Sequence, residues 1–259
     1  MYATNFFEDA MLNLMRGSAI TAPTTMYLAL FQSNPTDTGL AGVEANYTGY
    51  TRMPITFREP YAQSSGSSVY ILENAAEISF AEASASGNTI THVAIMDALN
   101  NGNMWLYGAL DSTLVIQAGV TPVFRAGSLQ WSWSGSFSVF YKTAIMNTLR
   151  GTSCAGFAPY IGLCNASGNE FNGTAYARFA VTMDAPAQNV NTGVDYSANS
   201  AEVLSNTAGS DWGTLAIIKL FNAATAGNEF ASITLESQYS ITTGSAVGFH
   251  AGDLVVNVN

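Results

Sequence analysis

The chain has 259 residues, with 8 Lys or Arg against 18 Asp or Glu, and its net charge of −10 disfavours phosphate backbones as partners. Charged residues reach only 10% while hydrophobic ones reach 48%, so the polar surface must be hydroxyl and amide, as suits sheets and turns rather than exposed helices. Two cysteines and two histidines are too few for a metal site, no cofactor motif is present, and MYATNFFEDAM at the N-terminus has neither a basic segment nor an apolar run, so no signal peptide, membrane partner or cofactor is expected.

In chain order, Asn5 precedes Glu8 by three residues like a capping pair, and Phe7, Met11, Leu14 and Met15 follow at helical spacing. A helix over Asn5 to Met15 is expected, closed by Arg16 and Gly17: the cation meets the negative helix end and the glycine takes the left-handed position past it. Short β-branched, aromatic and aliphatic runs separated by Gly, Asn, Ser and Pro then predict strands at 25–31, 50–57, 76–80, 90–96, 104–110, 113–116, 122–125 and 128–133. Of these, MYLALF is apolar on both faces and should be central, whereas Leu129, Trp131 and Trp133 alternate with polar residues and should have one wet face. A second helix is expected from Ser136 through Phe140, Ala144, Ile145 and Leu149 to Arg150 and Gly151.

The second half then repeats the first. Gly102 recurs as Gly227, Gly119 as Gly244, Phe124 as Phe249 and Leu129 as Leu254, all at a shift of 125, which also carries NAAEI at Asn74 onto NSAEV at Asn199. Upstream the shift slips: Tyr50 and Arg52 map to Tyr176 and Arg178 at 126, Tyr27 to Tyr160 at 133, and Arg16 to Arg150 at 134. Most of the difference falls between Phe31 and Tyr50, a loop longer in the first copy. The expected fold is all-β: two tandem β-sandwich domains over 1–134 and 135–259, each preceded by a short N-terminal α-helix. Only Gly135 separates the last strand of one from the helix start of the next, which restricts their tilt.

Four of the eight cations sit at matched positions, Arg16 with Arg150 and Arg52 with Arg178. The first pair suits a helix-end role. The second lies in half-apolar strands where an unpaired guanidinium is costly, and Glu77 and Glu202 are the acids expected to pair with it. Gly102 and Gly227 read as hairpin turns needing positive φ, and Gly127 and Gly252 as corners leading into the last strand. His92 is answered by Ile217 and His250 by Arg125, so no catalytic histidine is retained, and no acid, base or nucleophile frame is recognisable. Cys164 stands where the first copy has Phe31, so an apolar thiol suffices. The long loop, with Asp37, Glu44, Tyr47 and Tyr50, is the candidate ligand or partner loop, since its tyrosines suit stacking on sugars.

The order LMRG, TAPTTMYLALFQSNPTD, GYTRMPITF, ITHVAIMDA, GNMWLYGAL and FRAGSLQW resembles a family of small virion proteins of tailed bacteriophages, tail fibre or head-decoration components. The second copy keeps LRG, APYIGLC, AYARFAVTM and FHAGDLVVNV but lacks the PTD loop and the histidine. The resemblance implies a non-catalytic β-sandwich mounted on a virion, made in the host cytoplasm. Its partners would be other virion proteins (capsid, neck or tail) and further copies in a homo-oligomer. The alternative is a carbohydrate-binding adhesin that recognises a receptor.

Overall fold

The computed structural model describes residues 1–258. Along the first repeat run β1 (Tyr2–Ala3), α1 (Asn5–Leu14), β2 (Met26–Phe31), β3 (Met53–Ile55), β4 (Tyr61–Ala62), β5 (Tyr70–Glu73), β6 (Ile78–Ser79), β7 (Thr89–Met96), β8 (Met104–Val115), β9 (Val123–Phe124) and β10 (Gln130–Trp133). Along the second run α2 (Val139–Thr148), β11 (Tyr160–Cys164), β12 (Phe179–Ala180), β13 (Ala187–Gln188), β14 (Asp195–Ala198), β15 (Val203–Leu204), β16 (Gly213–Phe221), β17 (Glu229–Ile241), β18 (Gly248–Phe249) and β19 (Val255–Val258).

Both repeats build the same antiparallel sheets. In the first, a large sheet runs β1-β8-β7-β2-β3, a smaller one β10-β5-β4, and β6 pairs β9. In the second, the corresponding orders are β12-β11-β16-β17 and β13-β14-β19, with β15 pairing β18. Registers agree residue for residue: Leu28 faces Ile95 as Ile161 faces Leu220, Trp131 faces Leu72 as Val256 faces Ser197, and Ile78 faces Phe124 as Val203 faces Phe249. The counterpart of β1 shrinks to a single bridge, Phe137 to Ala231.

The apolar pattern explains the placement. MYLALF is central, between β7 and β3, and nearly all buried, because both of its faces are apolar. Leu129, Trp131 and Trp133 are buried while Gln130 and Ser132 are exposed, and Leu254, Val256 and Val258 repeat that alternation. Met104 to Val115 is one strand rather than two: Thr91 alone separates Ile90 from His92, whereas four residues, Leu110 to Thr113, separate their partners Leu114 and Ala109. The second repeat carries the same bulge at Leu235 to Gln238. Strands β1, β4 and β5 were not expected from the sequence.

Helix ends differ from expectation by a residue or two. Thr4, not Asn5, is the cap of α1, its carbonyl accepting from the N–H groups of Phe7 and Glu8. Ser138, not Ser136, caps α2, its hydroxyl accepting from Tyr141 N at 3.1 Å. Both helices close alike. Ser18 N reaches Asn13 O and Thr152 N reaches Asn147 O, with Gly17 and Gly151 at φ 85° and 90°.

The compact units are not a plain cut at the join. The first holds Met1–Ala10, Thr21–Trp133 and Ile145–Cys154; the second holds Met11–Ile20, Ser134–Ala144 and the chain from Ala155 onward. Each therefore gathers the strands of one repeat, the first turns of that repeat's own helix and the last turns of the other's.

Candidate functional site

Arg52 and Arg178 each sit at the centre of a polar network, and the two networks match. In the first unit Arg52 donates from Nε and Nη2 to the two carboxylate oxygens of Glu44, both at 2.8 Å. Its Nη1 donates to the carbonyls of Ala98 at 2.8 Å and Asn101 at 2.6 Å, in the β7–β8 turn. Tyr50 donates to Glu44 at 2.8 Å and accepts from Leu30 N at 3.0 Å. In the second unit Arg178 holds Glu170 from Nε at 2.9 Å and Nη2 at 2.8 Å, and its Nη1 reaches the carbonyls of Ala223 and Ala226. Tyr176 donates to Glu170 at 2.8 Å and accepts from Leu163 N at 2.9 Å.

This corrects the expected partners. Glu77 and Glu202 are both exposed, and the acids on the two arginines are Glu44 and Glu170. The reason is local: Glu44 bridges Phe31 and Glu170 bridges Cys164, which sets each carboxylate beside the arginine strand. The forked, two-point geometry is the strong form of the Arg–carboxylate pair. The hydrogen bonds that Arg52 donates to Glu44 lead the effects that raise its pKa. Burial opposes the charge on Glu170, but bonds from Arg178 and Tyr176 outweigh it and hold that carboxyl below its ordinary value. Burial pushes the Tyr50 and Tyr176 hydroxyls well above theirs. Each network ties a loop, a strand and a hairpin together through its arginine.

The glycine pairs serve the same frame. Gly102 and Gly227 have φ 77° and 68°, and a Cβ on either would collide with the side chain of Asp97 or Asn222, which accepts from Asn103 N or Asn228 N at 2.7 Å. Gly127 and Gly252, at φ 77° and 87°, donate to the carbonyls of Asn74 and Asn199 at 2.9 Å. Those two asparagines are functional residues of the frame that sequence reasoning passed over. Fully buried, Asn74 donates to the carbonyls of Ala76 and Arg125 and accepts from Leu129 N, and Asn199 does the same with Ala201, His250 and Leu254. Their recurrence in NAAEI and NSAEV was the available signal.

Arg16 and Arg150 lie just past their helices, and their guanidinium groups bond Asn13 and Asn147 side chains rather than helix carbonyls. Their Nε atoms donate to Met183 O at 3.3 Å and Phe57 O at 3.4 Å. In the candidate ligand loop, Tyr47 is buried with its hydroxyl on Ala81 O, and half-buried Tyr50 gives its hydroxyl to Glu44 in the arginine network. Asp37 accepts at its carbonyl from Asn5 N, and burial raises its pKa. A pocket of about 370 Å³ adjoins the network, lined by Glu44, Tyr50, Arg52, Leu99 and Asn101 among others. His92 bonds the neighbouring Thr91 and exposed His250 sits 3.4 Å from Asp253, so the histidines do not converge. Cys164 is a buried free thiol that burial pushes up to about 11, and burial raises the Cys154 thiol as well. No group of three metal-ligating side chains occurs among the described residues.

Among protein families, the model described as Podophage GP4 fiber I protein gp80 matches the chain twice, over residues 2–132 and 136–257. No curated protein matches it.

Proposed function

From the premise that the chain belongs to the podophage GP4 fiber I protein gp80 family along nearly its whole length, we propose that it is a non-catalytic structural component of the virion fibre. The observation that carries this reading is the duplicated frame. The polar side chains that recur in both repeats, from Arg52 and Arg178 to Asn74 and Asn199, are bonded within the protein and maintain the sheets. Residues 1–134 and 135–259 are then two copies of one fibre module, carried on the particle and bound to capsid, neck or tail proteins and to further copies of the chain. No described helix is long and apolar enough to cross a membrane.

A fibre placement at the neck or tail is favoured by the family, and a capsid-decoration role is the competing placement. Localising the chain in a density map of the intact particle, with copy number by quantitative mass spectrometry, separates them. A fibre gives on the order of tens of copies or fewer at one vertex, in keeping with closed cyclic symmetry, and a shell component gives hundreds. The competing sugar-binding reading rests on the same loop, where the hydroxyls of Tyr47 and Tyr50 bond Ala81 O and Glu44. A glycan array signal abolished by deleting residues 36–42 would support it, and an array without signal would count against it.

A further inference from the structure

The segments exchanged between the compact units correspond under the repeat itself. Met11–Ile20, which joins the second unit, maps at the shift of 134 onto Ile145–Cys154, which joins the first. The same positions are buried in both: Met11, Leu12, Leu14 and Met15 in one, Ile145, Met146, Thr148 and Leu149 in the other. The arginine bond that seats them corresponds as well. Within the first unit Arg150 Nε reaches Phe57 O at 3.4 Å, and within the second Arg16 Nε reaches Met183 O at 3.3 Å, with Phe57 mapping to Met183. Ala22 N donates to Ser153 Oγ at 3.0 Å in the first. In the second, Phe157 N donates to Leu14 O at 2.8 Å, Tyr141 donates to Met11 O at 2.7 Å, and Gly156 lies so close to Gly17 that a Cβ would strike its backbone.

We infer that each repeat is incomplete alone and is finished by the helix end of another copy, so that this chain is the covalently joined form of a helix-swapped pair and the partner its surface fits is a second copy of the same repeat. Exchange of an identical element between copies is a low-cost route to dimers, because the contacts made in exchange are those one copy would otherwise make with itself. A helix end with three or four buried apolar residues would leave both an uncovered stripe and an unfilled strand face if it were withdrawn. The arginines explain themselves on this reading: each anchors the donated helix end to the carbonyl of a bridged residue of the recipient.

The full-length protein carrying a protease site between Ser134 and Gly135 tests this directly. After cleavage the two halves should elute together at the mass of the uncut chain and part only in denaturant. Halves that separate in native buffer overturn the inference. Hydrogen exchange on uncut Arg16→Ala and Arg150→Ala variants is the second arm, free of the inserted site. Arg150→Ala should speed exchange roughly tenfold or more at Arg58 and Ala75, in the first repeat, and Arg16→Ala at Asp184 and Ser200, in the second. Effects confined to the repeat that carries the mutation would overturn it equally.

Discussion

The two repeats are the same frame under different constraints, and their differences show which residues hold it. The arginine network, the buried asparagine, the hairpin glycine and the four-residue bulge are present in both. Around them the chemistry diverges. Glu73 is buried in the first unit and accepts from Arg58, Tyr61 and Gln130, whereas its counterpart Ala198 needs no partner. Lys219 and Glu229 pair at 2.9 Å in the second unit where the first has Ala94 and Met104. Arg178 stacks 3.3 Å over the Phe221 ring, and Arg52 has Met96 at the matching place. Groups that join distant backbone segments were kept, and groups that only satisfy one another were replaceable.

The comparison can be tested in order of expected effect. Asn74→Ala and Asn199→Ala should be the most damaging, about 3 kcal/mol or more each by denaturant unfolding, since each strands two carbonyls and an N–H. A loss under about 1 kcal/mol in both would mean that the asparagine is not what holds the corner. Arg52→Ala and Arg178→Ala should follow at about 2 to 4 kcal/mol, with Arg178 costing up to about 1 kcal/mol more because the Phe221 contact goes too. Equal losses would show the ring contact to be idle.

A pH titration probes the second network through Glu170. The depressed Glu170 carboxyl contributes stability that is complete above its unfolded value of about 4.3 and is lost as pH falls through the lower folded value. Glu170→Gln should flatten that acid limb in unfolding curves of the second unit. The smallest effect belongs to Lys219 and Glu229, which are partly exposed: Glu229→Gln should cost within about 1 kcal/mol, and less in high salt. A larger, salt-independent loss would place that pair in the frame after all.

Much of this was legible before any coordinates. Periodicity located both helices and the central strands, because MYLALF is apolar throughout and Leu129, Trp131 and Trp133 alternate. The positive-φ glycines announced their turns. The carboxylate partners were misjudged although the signal existed: Glu44 and Glu170 stand at the same spacing before Tyr50 and Arg52 as before Tyr176 and Arg178. An insertion placed only loosely between Phe31 and Tyr50 hid that match. Strand β5, Tyr70–Glu73, follows a Ser/Gly run and is too short to declare itself. Asn74 was visible as a repeated letter, but its role depends on Ala76, Arg125 and Leu129 meeting in space, and no local pattern encodes that.

The insertion has a practical side. Thirteen positions separate Phe31 from its bridged neighbour Glu44 and six separate Cys164 from Glu170, so the first connection is seven residues longer, with Leu40 88% exposed near its tip. The second repeat is thus a natural deletion variant of the first, already folded around the shorter link. An epitope tag or fluorophore-bearing peptide grafted between Asn34 and Val43 would ride on a position that the architecture has shown it can do without.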